Sequence, residues 1–396
     1  MICPCCESHA VSDYMAFERF PEFQFPLPKA LLGKIHGVPF ELAICKGCGY
    51  LLHRNPDPEL LEKIYLEYYA YYNLSSSEQM AKVYNPVFRK FVDPFLKRAG
   101  HSSLLEIGCG EASNFDFISG YGMSYYGIDP SDNIERAMAK HGSQRFKQAF
   151  FSQNLFDEKF GVILSQFSLE HSLDISKFFN DIVTYASKGT ILIIEVPNAA
   201  YYMENRLPFF FAYEHISYFN PVCLKALFQK YGFRLLDVYH QGHPSIIVAG
   251  EYVGPMVTDL IETKASPCSA DLQNKYLQAS RTLQASVAEF FSKEKLFCFY
   301  GVGLIYYWFR LVLENHRDNF QVVDDNEFYN GKYTPFFQDQ VMKPCAQVLI
   351  PYDTIILSVN PTYYDAVIAN LKRIKPSDFK IIYVEGGKLI SKMVTP

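Results

Sequence analysis

Three groups of residues in this sequence have types and spacings that can do chemistry. Cys3 and Cys6 form one Cys-x-x-Cys turn, and Cys45 and Cys48 form another. Each turn can point two thiolates at one centre, and four thiolates fill the tetrahedral shell of Zn²⁺ with no position left for a substrate. Such a closed site is structural, holding together a segment too small to build its own core. Gly47 and Gly49 supply the backbone freedom of a tight turn, and Cys5 offers a second register for the first pair. Ordinary buried thiols are the alternative, since cysteine is among the residues most often found inside.

The second group is Glu106-Ile-Gly-Cys-Gly110, which closes an apolar run starting at Ser103 and precedes a helix expected from about Ser113. Glycines at 108 and 110 let the backbone approach a ligand closely. Asp129 ends a second apolar run, Tyr125–Ile128, where a carboxylate can accept hydrogen bonds from ribose hydroxyls. Ser113 stands where a dinucleotide-binding turn would carry its third glycine, and no Gly-Lys-Ser/Thr phosphate cradle occurs. A ribose site without a pyrophosphate grip is what S-adenosylmethionine requires. The third group is Tyr213-Glu214-His215, a phenol, a carboxylate and an imidazole in a row. Beside a bound methyl donor, His215 could serve as general base near neutral pH, oriented by Glu214 or Tyr213. The same triplet can also be a structural latch. His171 reads as a loop residue near the cofactor.

The elements that must position these groups follow from pattern. Residues 1–70 hold five of the ten cysteines and show little helical periodicity before Pro58–Tyr69. Residues 80–252 alternate strand-like and amphipathic runs, as βαβ units on a parallel sheet do. A polar stretch, Glu262–Lys295, carries Leu272, Tyr276, Leu283, Val287 and Phe290 at helical spacing, and a second strand–helix alternation begins at Leu296. The fold class expected is α/β in three parts, 1–70, 71–260 and 261–396.

Composition narrows the function classes. With 49% hydrophobic and 20% charged residues, 396 positions suit two or three globular domains rather than a disordered chain. A formal charge of −5 argues against a protein held mainly by nucleic-acid phosphates. No apolar run approaches the ~20 residues of a membrane-spanning helix, and Met-Ile-Cys-Pro-Cys-Cys lacks the marks of a secretory signal. The expected address is the cytoplasm, where cysteines are not read as disulfides. Aromatic residues make up 16%, which suits large cores or a stacking surface, and composition does not decide between them.

These motifs resemble the class I S-adenosylmethionine-dependent methyltransferases. Glu106-Ile-Gly-Cys-Gly110 looks like their first motif and Asp129 like the acidic residue after strand two. Phe160–Gln166 with Ser168-Leu-Glu-His171 looks like strand four and its exit loop. The resemblance makes Glu106, Gly108, Gly110, Asp129, Gln166 and Ser168 the implied cofactor-binding residues. Gly189–Pro197 resembles strand five, and Gly232–Tyr239 with Ser245–Tyr252 the antiparallel pair that completes a seven-stranded sheet.

Over nearly its full length the chain also resembles the C-methyltransferases of nucleotide-linked deoxysugars. These have an N-terminal zinc-binding domain with two Cys-x-x-Cys pairs, a core with a Glu-His pair after strand five, and a C-terminal Rossmann-like domain. Tyr68-Tyr-Ala-Tyr-Tyr-Asn-Leu-Ser-Ser76 resembles their tyrosine-rich segment, and Phe299–Gly303, Val322–Asn326 and Gly331–Pro335 their C-terminal landmarks. Two departures are Gly242-His-Pro-Ser245, with a stiffening proline, and Leu304–Tyr307, bulky where the family is small after its C-terminal Gly-x-Gly. The resemblance implies that His215, with Glu214 and Tyr213, removes a proton beside a keto group, so that an enolate accepts the methyl group, with structural zinc on Cys3, Cys6, Cys45 and Cys48. Alternatives are an O- or N-methyltransferase of a sugar or small metabolite, and a non-catalytic zinc and Rossmann module.

Overall fold

The computed structural model describes residues 2–71, 85–255, 270–294, 296–313 and 320–396. Tyr72–Ser76 of the tyrosine-rich segment and the expected boundary at 260/261 lie outside the described residues. Strands β1 (Val11–Pro21), β2 (Gly37–Cys45) and β3 (Leu51–His53) form an antiparallel sheet. The chain then runs through a helix, Pro58–Lys63, that widens into a π-helical turn, Ile64–Tyr68. Asp57 caps it, its side chain accepting from the amides of Glu59 and Leu60.

The middle of the chain supplies β4 (Ser103–Ile107), β5 (Ser124–Asp129), β6 (Phe146–Gln148), β7 (Val162–Gln166), β8 (Ile191–Pro197), β9 (Ser217–Tyr218), β10 (Phe233–Tyr239) and β11 (Ser245–Tyr252). Seven of them form one sheet in the order β10-β11-β8-β7-β4-β5-β6, parallel from β8 to β6, with β11 antiparallel to both β10 and β8. The central strands are nearly continuous apolar runs, Leu104-Leu105 and Val162-Ile163-Leu164, because helices cover both faces. On one of those helices, Asn85–Ala99, Phe88, Val92 and Leu96 fall four residues apart and are buried. Each such side chain contributes ~1.5–3 kcal/mol when fully removed from water, so Val92→Asp would break that face. Strand β9 leaves the seven-stranded sheet and pairs instead with β3 of the first sheet.

The long helix Ala270–Lys293 buries Tyr276, Leu283 and Val287 and leads into a third sheet. That sheet contains β12 (Phe297–Tyr300), β13 (Phe320–Val323), β14 (Val341–Met342), β15 (Thr354–Leu357), β16 (Phe379–Glu385) and β17 (Lys388–Val394), in the order β14-β13-β12-β15-β16-β17. Numbered within the sheet this is 3-2-1-4-5-6, the dinucleotide-fold order, with only the last strand antiparallel. Aromatic residues join the parts. Phe23 and Phe40 of the first segment, Phe211 of the middle one, Tyr276, and Phe299 and Tyr306 of the last belong to one buried cluster. Tyr306 and Tyr307, expected to crowd the Gly-x-Gly turn, are fully buried in that cluster, and only Leu304 and Ile305 face the open side.

Candidate active site

In doubly wound sheets a ligand sits outside the carboxyl ends of the strands, where the strand order reverses. Here two such ends share one cavity of about 1750 Å³. Its walls include residues 106–111, 128–131, 166–168 and 170–174 of the middle segment, His215, Pro58, Leu61, Tyr65 and Tyr69 of the first, and Val302–Ile305, Asp324–Asn326 and Asn360–Thr362 of the last.

At the first end, Gly108 has φ +75° and Gly110 φ +51°, both in the left-handed region. A Cβ on Gly108 would lie 2.6 Å from the Ser168 side chain, so only glycine lets the two loops meet. Around Gly110 nothing lies within 4 Å of the Cβ position, and the backbone there is open to a ligand. Asp129 holds this turn: one carboxylate oxygen accepts from Gly110 N at 2.8 Å, the other from Ser131 N at 2.9 Å and Ser131 Oγ at 2.6 Å. Burial pushes its carboxyl above the ordinary range, while those bonds favour the ionised form.

Glu106 and Gln166 line the same wall but are tied into a buried polar chain. Tyr125 Oη donates to Glu106 at 2.5 Å. Asn114 Nδ2 donates to Glu106 and to Gln166 Oε1, both at 2.9 Å. Gln166 Nε2 donates to Glu195 at 2.7 Å, and Ser245 Oγ donates to the other Glu195 oxygen at 2.5 Å. Burial pushes both Glu106 and Glu195 up to about 7. Asn114 and Glu195 were not legible as site residues, because nothing in their own spacing marks them. Phe167, with φ +51°, is a strained position for a bulky residue, held by its N–H bond to Glu195 O at 2.8 Å.

The Tyr213-Glu214-His215 triplet does not act as one unit. Glu214 and His215 face the cavity, but Tyr213 turns away from it. Its ring packs on His53 at 4.9 Å and Phe40 at 6.0 Å, and its hydroxyl accepts from Asp57 N at 3.4 Å. Tyr213 and Glu214 lie in a turn closed by His215 N donating to Ala212 O at 3.1 Å, and that turn sends the Tyr213 ring to the first sheet while Glu214 and His215 face the cavity. Tyr213 is therefore a packing residue against the first sheet, a correction to its expected place beside the substrate. Glu214 does not orient His215 either: Glu214 Oε2 and His215 Nδ1 are both buried without a hydrogen-bond partner.

Instead the fold brings His171 to His215, with ring centroids 4.8 Å apart, edge to face. His171 Nδ1 lies 3.1 Å from Glu214 O. Burial lowers His171 to about 4 and His215 well below the ordinary imidazole range, and raises Glu214 to about 7 and Glu170 to about 8. At neutral pH both imidazoles are uncharged and hold a free lone pair. Tyr65 and Tyr69 stand edge-on to His171 at 5.9 and 6.3 Å and close the wall behind it.

The cysteines converge as the two turns require. Cys3 and Cys48 Sγ are 3.6 Å apart, Cys6 and Cys45 Sγ 3.5 Å. A tetrahedron with metal–sulfur bonds of about 2.3 Å has edges of roughly 3.8 Å, so the four sulfurs fit a zinc shell. The four sulfurs that gather are those of Cys3, Cys6, Cys45 and Cys48, while Cys5 lies between Cys3 and Cys223 outside that group. The cluster is fastened to the middle of the chain: Asn220 Nδ2 and Cys223 Sγ both donate to Cys48 O, at 2.9 and 3.3 Å. Two residues after Cys48, Tyr50 Oη bonds Ser217 Oγ at 2.5 Å, and His53 N donates to Ile216 O at 2.9 Å. The cysteine turn thus fixes the strand that follows His215.

With sheet, glycine turn and acidic strand end in place, comparison with known proteins is informative. Residues 77–238 match the family model described as a methyltransferase domain, and the Rossmann-like sheet built around them is the fold of a domain that uses S-adenosylmethionine. Among curated proteins it is similar to the C-methyltransferase NovU of Streptomyces niveus, 22% identical over 247 residues, 58% of this chain. The match spans 56% of that relative's length. Similar solved structures include an S-adenosylmethionine-dependent methyltransferase from Clostridium acetobutylicum (12% identical, 47% of this chain and 99% of that one, TM-score 0.37). Another is the magnesium protoporphyrin IX methyltransferase of Synechocystis (13% identical, 49% and 95%, TM-score 0.36). Among the described residues no helix is long and apolar enough to cross a membrane.

Proposed function

We propose that this enzyme methylates a carbon of a nucleotide-linked keto-deoxysugar. The observation that carries the reading is the cavity shared by two sets of strand ends. A site for one small molecule measures about 300–1,000 Å³. At about 1750 Å³ this one has space for the cofactor and a second ligand of similar size, reaching towards Asp324–Asn326 of the third sheet. Similarity to a C-methyltransferase supports carbon as the acceptor.

In this reading Gly108, Gly110, Asp129, Gln166 and Ser168 border the cofactor, with Asp129 on the ribose and Glu106 behind the turn through Asn114. S-adenosylmethionine supplies an electrophilic methyl group there. His215, neutral because it is buried, takes the proton from the carbon beside the keto group, and the resulting enolate is the nucleophile. Holding carbon and donor close and in line is most of catalysis for such a transfer, and the fixed loops 106–110 and 166–171 do that. Cys3, Cys6, Cys45 and Cys48 hold a structural zinc that fixes β3 and, through it, β9. The three sheets support a division at 1–70, 71–260 and 261–396.

Mass spectrometry with labelled S-adenosylmethionine and a panel of nucleotide-linked keto-sugars tests the reading. A product labelled on carbon, with exchange of the adjacent proton in deuterated water, is expected. Label on oxygen or nitrogen, or transfer only to free small metabolites, overturns it.

A further inference from the structure

We propose that Glu170, His171 and His215 form a second metal site, which takes a first-row divalent cation such as Zn²⁺ and switches off proton abstraction by using the lone pair of His215. One potential ligand atom from each residue lies within 4.8 Å of the others. His171 Nδ1 faces a carbonyl oxygen, Glu214 O, at 3.1 Å, and a carbonyl can only accept, so Nδ1 carries the hydrogen. That leaves the lone pair on Nε2, which is 4.0 Å from Glu170 Oε1. A second nitrogen bonded to a backbone carbonyl is the usual support of a metal-binding histidine.

Two further atoms are unexplained without a ligand. Glu170 Oε2 and His215 Nδ1 are buried and have no hydrogen-bond partner, although Glu170 is only 1% exposed. An orphaned buried acceptor is costly, and a cation would satisfy it. Zinc bonds to nitrogen and carboxylate oxygen are about 2.0–2.2 Å long, which puts donors roughly 3.3–3.6 Å apart. From 4.8 Å the widest separation must close by roughly 1.2–1.5 Å to reach that spacing, a change on the scale of a side-chain rotation. Two imidazoles and a carboxylate favour Zn²⁺, Co²⁺, Ni²⁺ or Cu²⁺ over Mg²⁺ and Ca²⁺. All three residues border the cavity, which provides an entry path.

The blocking effect rests on His215 as the base; the binding itself does not. The test therefore starts with binding. Protein with its four-cysteine site loaded with zinc is titrated with Co²⁺ by calorimetry and visible absorption, and the lack of thiolate–cobalt charge-transfer bands shows that the cysteine site has not exchanged. One additional equivalent is expected in the native enzyme, bound at least tenfold more weakly by Glu170→Gln and by His171→Asn, each checked for native melting. Proton exchange and methyl transfer should fall in step with occupancy and return on chelation, with S-adenosylmethionine affinity unchanged. No additional equivalent, or undiminished binding in both folded variants, overturns the site. Full occupancy with turnover intact overturns the switch.

Discussion

Replacing Asp129 should separate the two jobs its carboxylate performs. One is internal, through the bonds from Gly110 N, Ser131 N and Ser131 Oγ at 2.8, 2.9 and 2.6 Å. The other is acceptance of hydroxyls from the cofactor ribose at the cavity wall. Hydrogen bonds to a charged acceptor are worth ~1.5–3 kcal/mol, and each 1.4 kcal/mol is tenfold in affinity, so Asp129→Ala should weaken S-adenosylmethionine binding by about ten- to a hundredfold. It also strands the Gly110 and Ser131 amides, which costs ~1–3 kcal/mol of stability for each that stays buried. Ser131→Ala removes only an internal bond, so it should cost about 1 kcal/mol of stability and change affinity less than threefold. Calorimetric titration well below both melting temperatures reads affinity apart from folding. Binding by Asp129→Ala within twofold of native would refute the ribose assignment. Equal loss in Ser131→Ala would mean that the carboxylate matters only by shaping the turn.

His215→Ala should lower kcat by ~10²–10⁴-fold with cofactor affinity intact, and abolish substrate proton exchange; near-native methylation moves the base elsewhere. Because burial lowers His215, the acid limb of kcat/KM should lie below the ordinary imidazole value of ~6.5, and a limb at 7 or above contradicts the assignment. Cys48→Ser should lose metal by elemental analysis and a large part of thermal stability, and a fully stable variant would make the cluster dispensable. His53 is buried against Phe40 and Tyr213, and burial lowers it to about 4. The unfolded chain binds its proton first, so stability from this residue is present above ~6.5 and is lost as pH falls towards 4, by up to about 3 kcal/mol. His53→Phe should flatten that part of the acid melting curve, and an unchanged curve would assign the loss to other groups.

Local order determined much of this protein. Strands β4, β5, β7 and β8 of the middle sheet are apolar runs of a few residues ending in a turn, so they were legible, and the antiparallel pair β10 and β11 was expected from the family resemblance. Gly108, Gly110, Asp129 and the two Cys-x-x-Cys turns could be found because their chemistry lies in a few consecutive positions. β6 and β9, three and two residues long, carry too little pattern to be seen and exist because a neighbouring strand offers them hydrogen bonds.

What the sequence could not order was which side chains meet. Adjacency suggested that Tyr213, Glu214 and His215 work together, yet the turn closed by His215 N on Ala212 O separates them, and the Tyr213 ring packs on His53 of the first sheet. His215 met His171, 44 positions earlier in the chain, because β9 pairs with β3 and Ile216 N bonds Glu170 O at 2.8 Å. The coupling of Glu106 to Glu195 through Asn114 and Gln166 likewise depends on three strands lying side by side. Motifs encode groups that a single turn can gather; long-range strand pairing decides which loops face one cavity, and that pairing is a property of the folded chain.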